Sequence, residues 1–390
     1  MLFQTTKSII SKIGATKELG SLFKKLSLKN VLIVTDEGVV KFNLMKDALE
    51  SLQNDGVNVT IYDGVKPDPP EYLIQEVAQM AKDNEVDSII GFGGGSPMDI
   101  AKLVAYLSSE QNHNIDISEI YGVDNCKGTS RLPLIQIPTT AGTGSEVTPI
   151  SIITTGENEK KGVVSDLLYP DYAILDASLT TSLPTFISAS TGIDAMVHAI
   201  EAQTSVHKKN SLSDMLSREA LNLLGKNIYR VCENGDDLEA RQNMLLGSML
   251  AGQAFANAPV AAVHALAYPI GTHFKVSHGV SNVLMLPHVL RFNARNAWAS
   301  DIYDSIVPLC FPDLQDTNAN FHDEGADIMS TRFLQMTKDF EIPGRLKDVN
   351  IEYSDCEMLA TEAMKQTRLL PNNPRLVEFD DAFNLYVDAL

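Results

Sequence analysis

The chain has 390 residues, 44% of them hydrophobic and 21% charged, the makeup of a globular protein of roughly two to three domains. Fifty acidic side chains against 31 basic ones leave a net charge of −19. That field repels phosphate backbones and anionic lipid surfaces, so neither nucleic acid nor a membrane is expected as a partner. Cys126, Cys232, Cys310 and Cys356 are dispersed with no CxxC pair, which excludes a zinc knuckle and a disulfide framework and suits a reducing compartment. With no apolar run of signal-peptide length at the start, a cytoplasmic protein is expected.

In chain order, Val31 to Asp36 reads as a strand, Val40 to Gln53 as an amphipathic helix and Val57 to Asp63 as a second strand. Tyr72 to Lys82 is a helix, Ser88 to Phe92 a third strand and Pro97 to Leu107 a third helix. Strands alternating with helices imply parallel crossover units. Further strands are expected at Leu134 to Pro138, Ile150 to Thr155, Gly162 to Ser165 and Tyr172 to Asp176. Past Ser182 the texture turns to long Ala-, Leu- and Met-rich helical periodicities: Ala189 to Gln203, Ser211 to Asn227, Arg241 to Asn257 and Pro259 to Tyr268. An α/β domain over 1–183 followed by an all-α domain over 184–390 is the simplest division. The greasiest stretch, Ala254 to Gly271, carries Asn257, Pro259, His264 and Pro269 and reads as a buried helix, not a membrane span.

Two small-residue loops follow strands. Gly93-Gly94-Gly95-Ser96-Pro97 opens a helix, with Ser96 placed to cap it; its backbone N–H groups and the helix dipole form an anion site suited to pyrophosphate, although a plain tight turn has the same composition. Thr139-Thr140-Ala141-Gly142-Thr143 offers hydroxyls to phosphate or ribose oxygens. Asp36, at a strand's carboxyl end, can accept from the ribose of NAD and repel the 2′-phosphate of NADP, or be a turn aspartate. No Walker GxxxxGK[ST] motif occurs. Asp194 and His198 stand four apart on one helix face; with His264 and His278, the latter placed after a turn around Gly271, they supply one carboxylate and three imidazoles. Such a set suits a divalent first-row ion such as zinc or iron. An Asp-x-x-x-His pair is also an ordinary helical hydrogen bond, and a lone His264 an ordinary core histidine. His113, His207, His273 and His322 read as surface or loop residues and His288 as a packing residue.

Six segments change that balance: GGGSPMDIAK (93–102), PTTAGTGSEVTP (138–149), GIDAMVHAIEA (192–202), HALAYPIG (264–271), HGVSNVLMLPHVLRFN (278–293) and LLPNNPR (369–375). Taken in this order, the chain resembles the iron-containing alcohol dehydrogenase family. The resemblance implies an N-terminal dinucleotide-binding α/β domain with a parallel sheet, an all-helical metal-binding C-terminal domain, and the architecture shared with dehydroquinate synthase. It implies Asp194, His198, His264 and His278 as catalytic metal ligands for Fe²⁺, with Zn²⁺ possible on ligand chemistry. For NAD it implies Asp36, Gly93, Gly94, Gly95, Ser96, Asp99, Thr139, Thr140, Thr143 and Lys161, and for the substrate pocket Phe255 and Tyr268. A homodimer acting on a small alcohol or aldehyde is the corresponding expectation.

One position departs from the family pattern. Where many members carry a second histidine four residues after the third ligand, this chain has Tyr268, and a phenol of reference pKa about 10 shuttles protons poorly at neutral pH. His273 is a candidate to compensate. The rival readings are a dehydroquinate-synthase-like lyase, which would need a Lys/Arg cluster for an acidic substrate, and a non-catalytic assembly subunit.

Overall fold

The computed structural model describes residues 1–66, 70–112, 114–156, 159–315 and 321–390; His113 lies outside them. The described chain forms two compact units, Thr5–Ser182 and Leu183–Leu390 with Met1–Gln4.

The first unit carries β1 (Ser8–Ser11), α1 (Leu19–Leu26), β2 (Asn30–Val34), α2 (Glu37–Lys41), α3 (Lys46–Asn54), β3 (Asn58–Tyr62), α4 (Glu71–Asp83), β4 (Ser88–Gly93), α5 (Gly95–Leu107), β5 (Gly122–Val123), β6 (Leu134–Pro138), β7 (Ile150–Thr155), β8 (Glu159–Val164) and β9 (Tyr172–Leu175). Six strands form one parallel sheet in the order β1-β9-β6-β4-β2-β3. Its strands read as continuous apolar runs because both faces are covered. Leu32, Val34, Ile89 and Leu134 pack on the side of α4 and α5. Val31, Ile33, Ile90, Phe92, Ile135 and Ile137 pack on the side of α1 and α3. The chain leaves β2 outward to β3 and returns past it to β4. The carboxyl ends of β2 and β4 therefore flank the point where strand order reverses, the usual ligand crevice of such sheets.

Four expectations need correction. The stretch read as one helix over 40–53 is two, α2 and α3, broken at Phe42 to Met45. Ile150 to Thr155 and Gly162 to Ser165 do not join the parallel sheet: β7 and β8 pair antiparallel in a separate three-stranded sheet with β5, and the number of residues between them is too small for the crossover a parallel pair needs. Helix α5 starts at Gly95, with Gly94 as a cap that makes no side-chain hydrogen bond, so Ser96 sits inside the first turn and is not the cap. The fourth concerns Gly271, which lies within a helix and not at a turn.

The second unit is helical: α6 (Thr185–Thr204), α7 (Ser211–Glu233), α8 (Leu238–Asn257), α9 (Ala262–Phe274), α10 (His278–Asn293), α11 (Ala297–Cys310), α12 (Gly325–Asp339), α13 (Cys356–Ala363) and α14 (Phe379–Asp388), with no strand among its described residues. Helix α6 is buried almost all the way round, the signature of a central helix, and packs against α7, α8 and α10. The α9–α10 connection is the three residues Lys275 to Ser277, with Lys275 in the left-handed region ending α9. Among the described residues, no helix is long and apolar enough to cross a membrane.

Candidate metal centre and cofactor turn

The centre of α6 presents Asp194, His198 and Glu201 along one stripe, at spacings of four and three residues. His264 stands in the first turn of α9 and His278 opens α10. The short connection between these helices helps carry both rings to the stripe. One donor atom from each of Asp194, His198, His264 and His278 lies within 4.8 Å of every other. Asp194, His198 and His264 are buried and His278 is half-exposed. The His198 and His264 rings stack at 4.7 Å between centroids, and Phe255 stacks on the other side of His198 at 4.5 Å.

Two neighbours fix the polarity of this cluster. Glu201, buried, accepts from His264 Nδ1 at 2.6 Å and from the Ala261 N–H at 3.0 Å through Oε2; through Oε1 it accepts from the Val263 N–H at 2.7 Å. A carboxylate at Nδ1 keeps the proton there, so His264 Nε2 is left as a lone pair. Asn282, one turn after His278, donates from Nδ2 to Asp194 Oδ1 at 2.6 Å. Burial acts to raise the Asp194 pKa, but the positive charge that His198, His278 and His264 carry when protonated, together with the Asn282 amide, outweighs it and holds the carboxyl below its ordinary value. The donor set of one ionised carboxylate and three imidazoles fits a divalent first-row cation.

Neither Glu201 nor Asn282 emerges from reading the residues one at a time. Their signal is periodic: Glu201 falls on the Asp194/His198 face and Asn282 on the His278 face. Both partners are supplied by other helices.

Phe255 packs against Ala202, Ala254 and Ala258 on one side. With Tyr268 and Leu370 it also packs against Val260, Ala265 and Leu369. The LLPNNPR segment supports this wall: Leu369 and Leu370 touch it, and Asn372 donates to the Val260 carbonyl at 2.9 Å. The Tyr268 ring stands edge-on to His264 at 6.5 Å and 5.9 Å from His278. His273 is exposed in the last turn of α9 and is outside the four-residue cluster. His207 and His322 are exposed, whereas burial pushes the half-buried His288 down to about 4.

The first unit places the cofactor candidates at the ends of β2, β4 and β6. Asp36 caps α2, accepting from the Val39 N–H at 3.0 Å through Oδ1. Its Oδ2 lies 3.1 Å from where a Cβ on Gly93 would stand, and Pro97 Cγ lies 2.8 Å from that same point. Gly93 has φ +151°, a conformation side chains rarely adopt, so this position requires glycine. Gly94 and Gly95 face Thr140 and Thr143. Pro97 has no N–H, which makes the Gly95 and Ser96 amides the donors that open α5. A bare turn closed by backbone on one side and threonines on the other, beneath a helix start, fits a pyrophosphate.

Asp99 turns elsewhere. Ser145 Oγ donates to its Oδ1 at 2.6 Å and the Ile152 N–H to its Oδ2 at 2.9 Å. Lys102, fully buried, donates to Ser145 Oγ at 2.7 Å, Thr148 Oγ1 at 3.1 Å and the Ile150 carbonyl at 2.6 Å. These bonds clamp the 139–148 segment onto α5, and Thr139 N–H donates to the Gly93 carbonyl at 2.9 Å. The structure thus gives Asp99 a loop-anchoring position beside the glycine turn. Lys161, on β8, holds its ammonium over the Tyr121 ring at 5.3 Å.

Sequence profiles of two families cover nearly the whole chain: iron-containing alcohol dehydrogenase over residues 6–177, and the Fe-containing alcohol dehydrogenase family, C-terminal, over 188–390. The chain therefore belongs to the iron-containing alcohol dehydrogenase family. It is 38% identical over 365 residues to long-chain-alcohol dehydrogenase 1 of Geobacillus thermodenitrificans, covering 93% of this chain and 89% of that one. It is 29% identical over 384 residues to the NAD-dependent methanol dehydrogenase of Bacillus methanolicus, covering 98% of each. Among solved structures, the alcohol dehydrogenase from Oenococcus oeni superposes with a TM-score of 0.93 at 30% identity, over the full length of both chains.

Proposed function

We propose that the chain catalyses reversible hydride transfer between a small aliphatic alcohol and NAD at a divalent metal held by Asp194, His198, His264 and His278. The observation that carries this reading is the convergence of those four donors from three helices. Iron rests on family membership and not on ligand chemistry, because a nitrogen/oxygen set alone binds Zn²⁺ more tightly than Fe²⁺. When bound, the ion supplies Lewis acidity that acidifies an alcohol or polarises a carbonyl, and NAD supplies the hydride acceptor.

The chain's own residues do the rest. Glu201 holds His264 in the tautomer that presents Nε2. Phe255, Val260, Leu369 and Leu370 form an apolar wall that excludes water and accepts an alkyl chain. Tyr268 sets a phenol where a histidine relay would stand, so proton release runs through water or cofactor hydroxyls. The Gly93–Ser96 turn with Thr140 and Thr143 receives the pyrophosphate. Asp36 receives the ribose hydroxyls and selects NAD over NADP by charge, and Lys161 serves the nicotinamide ribose. A cytoplasmic homodimer accompanies this reading; the four cysteines are all unpaired, and sedimentation tests the dimer.

A panel of primary alcohols, diols and anionic alcohols, followed as NADH at 340 nm with Fe²⁺ and with Zn²⁺, tests the function. The expected order is primary aliphatic alcohols first, with net NADH accumulating. Turnover of an acidic substrate without NADH release would favour the lyase reading, and bound metal with no turnover on any alcohol or aldehyde would favour an assembly role. His264→Ala is expected to lose both bound metal and NAD-linked oxidation; retained turnover in that metal-free variant would overturn the proposal.

A further inference from the structure

The Asn282 carboxamide stands against the proposed metal ligands with its donor end inward. Its Nδ2 lies 2.6 Å from Asp194 Oδ1, 3.3 Å from His264 Nε2 and 3.2 Å from His278 Nε2. An amide nitrogen has two hydrogens. One serves the carboxylate and the other lies between His264 Nε2, left as a lone pair by Glu201, and His278 Nε2, which accepts in the tautomer that could bind a cation. Its other end is spent: Oδ1 is buried and has no hydrogen-bond partner. A buried acceptor without a partner is costly, so the inward contacts are what hold this rotamer.

The same lone pairs cannot serve two masters. An N–H directed at His264 Nε2 or His278 Nε2 uses the electrons a cation would need, and the amide's positive end repels a cation. We propose that Asn282 is a two-position switch for the metal site, resting on the reading of Asp194, His198, His264 and His278 as metal ligands. With the N–H end inward the amide stands in for the cation and keeps a carboxylate and two lone pairs from facing one another unpaired. When a cation enters, half a turn about Cβ–Cγ exchanges the ends. The carbonyl dipole then faces the positive charge, while Nδ2 takes the partnerless position that Oδ1 leaves, so the cation must displace the N–H contacts to bind. Asn282 is thus a positioning residue that sets cation affinity by competing for the ligands.

Full-length wild-type, Asn282→Leu and Asn282→Ala proteins, stripped with a chelator, are titrated with Co²⁺ against a chelating dye and melted with and without Co²⁺. Removing the competing N–H groups is expected to tighten Co²⁺ binding about tenfold, the worth of one to two buried hydrogen bonds. It should also lower the melting temperature of the stripped protein while leaving that of the loaded protein nearly unchanged. Binding equal to or weaker than wild type would overturn the switch and make Asn282 a plain support for Asp194. Should Asn282→Leu fail to fold, Asn282→Ala decides, read also as Co²⁺ association rate, which the switch requires to rise. A wild type that takes up no equivalent of Co²⁺ would instead remove the metal-site reading itself.

Discussion

Glu201→Gln tests the metal centre at its least obvious point. The wild-type carboxylate accepts three N–H groups, His264 Nδ1 at 2.6 Å, Ala261 at 3.0 Å and Val263 at 2.7 Å, in a site closed to water. Glutamine has nearly the same shape but one oxygen and one NH₂. With its oxygen toward His264 and Ala261, its NH₂ meets the Val263 N–H. With the ends exchanged, its NH₂ faces His264 Nδ1, and the ring must shift its proton to Nε2, where it can no longer bind a metal. Leaving one buried donor unsatisfied costs roughly 1–3 kcal/mol, and the lost charge on the remaining bonds adds to it, so a destabilisation of about 2–3 kcal/mol is expected. Metal affinity should fall about 10–100-fold, the usual effect of removing a carboxylate behind a ligating histidine. Denaturant unfolding of stripped protein reads the first quantity and dye competition the second. Wild-type values for both would refute the assignment of Glu201 as the group that fixes the His264 tautomer.

Other expectations concern the first unit. Gly93→Ala places a methyl 2.8 Å from Pro97 Cγ in a backbone of φ +151°, so a loss of about 1–3 kcal/mol and weaker NADH binding in a fluorescence titration are expected. Asp36→Gly should shift the kcat/KM ratio for NAD over NADP toward NADP by at least about tenfold; a wild type that prefers NADP would contradict the role given to Asp36. Glu146 carries a pH signature. Burial pushes its carboxyl from 4.5 up to about 7, with a backbone hydrogen bond and Lys102 pulling the other way. Between those values the folded protein binds more protons than the unfolded chain, so this group's contribution is fully present below pH 4.5 and is lost as pH rises through about 7. Glu146→Gln should remove that decline, a difference on the order of 3 kcal/mol between the pH profiles of the two proteins. Parallel profiles would show that Glu146 keeps an ordinary carboxyl pKa.

What the chain disclosed in advance follows the range of the forces involved. Periodicity is local, and it exposed β2, β4, β6, α4 and the Asp194/His198 face, whose character depends on neighbours three or four residues away. It did not expose β1, a four-residue strand that pairs with β9, more than 150 residues on. Nor did it separate β7 and β8 from the parallel sheet, since alternation along a strand says nothing of which sheet it joins. The same limit explains the site. The four candidate ligands were legible because their imidazole and carboxylate groups stood in segments of a recognisable pattern. The tautomer of His264 was not, because it is set by a carboxylate 63 residues away. Asp99 sits inside the glycine-rich segment yet is consumed by Ser145 and Ile152, which only the fold brings to it. The residues proposed to tune the centre, Glu201 and Asn282, are those whose partners come from the neighbouring helices, and it is at these two positions that substitution is expected to separate a site able to grip a cation from one that merely contains the right side chains.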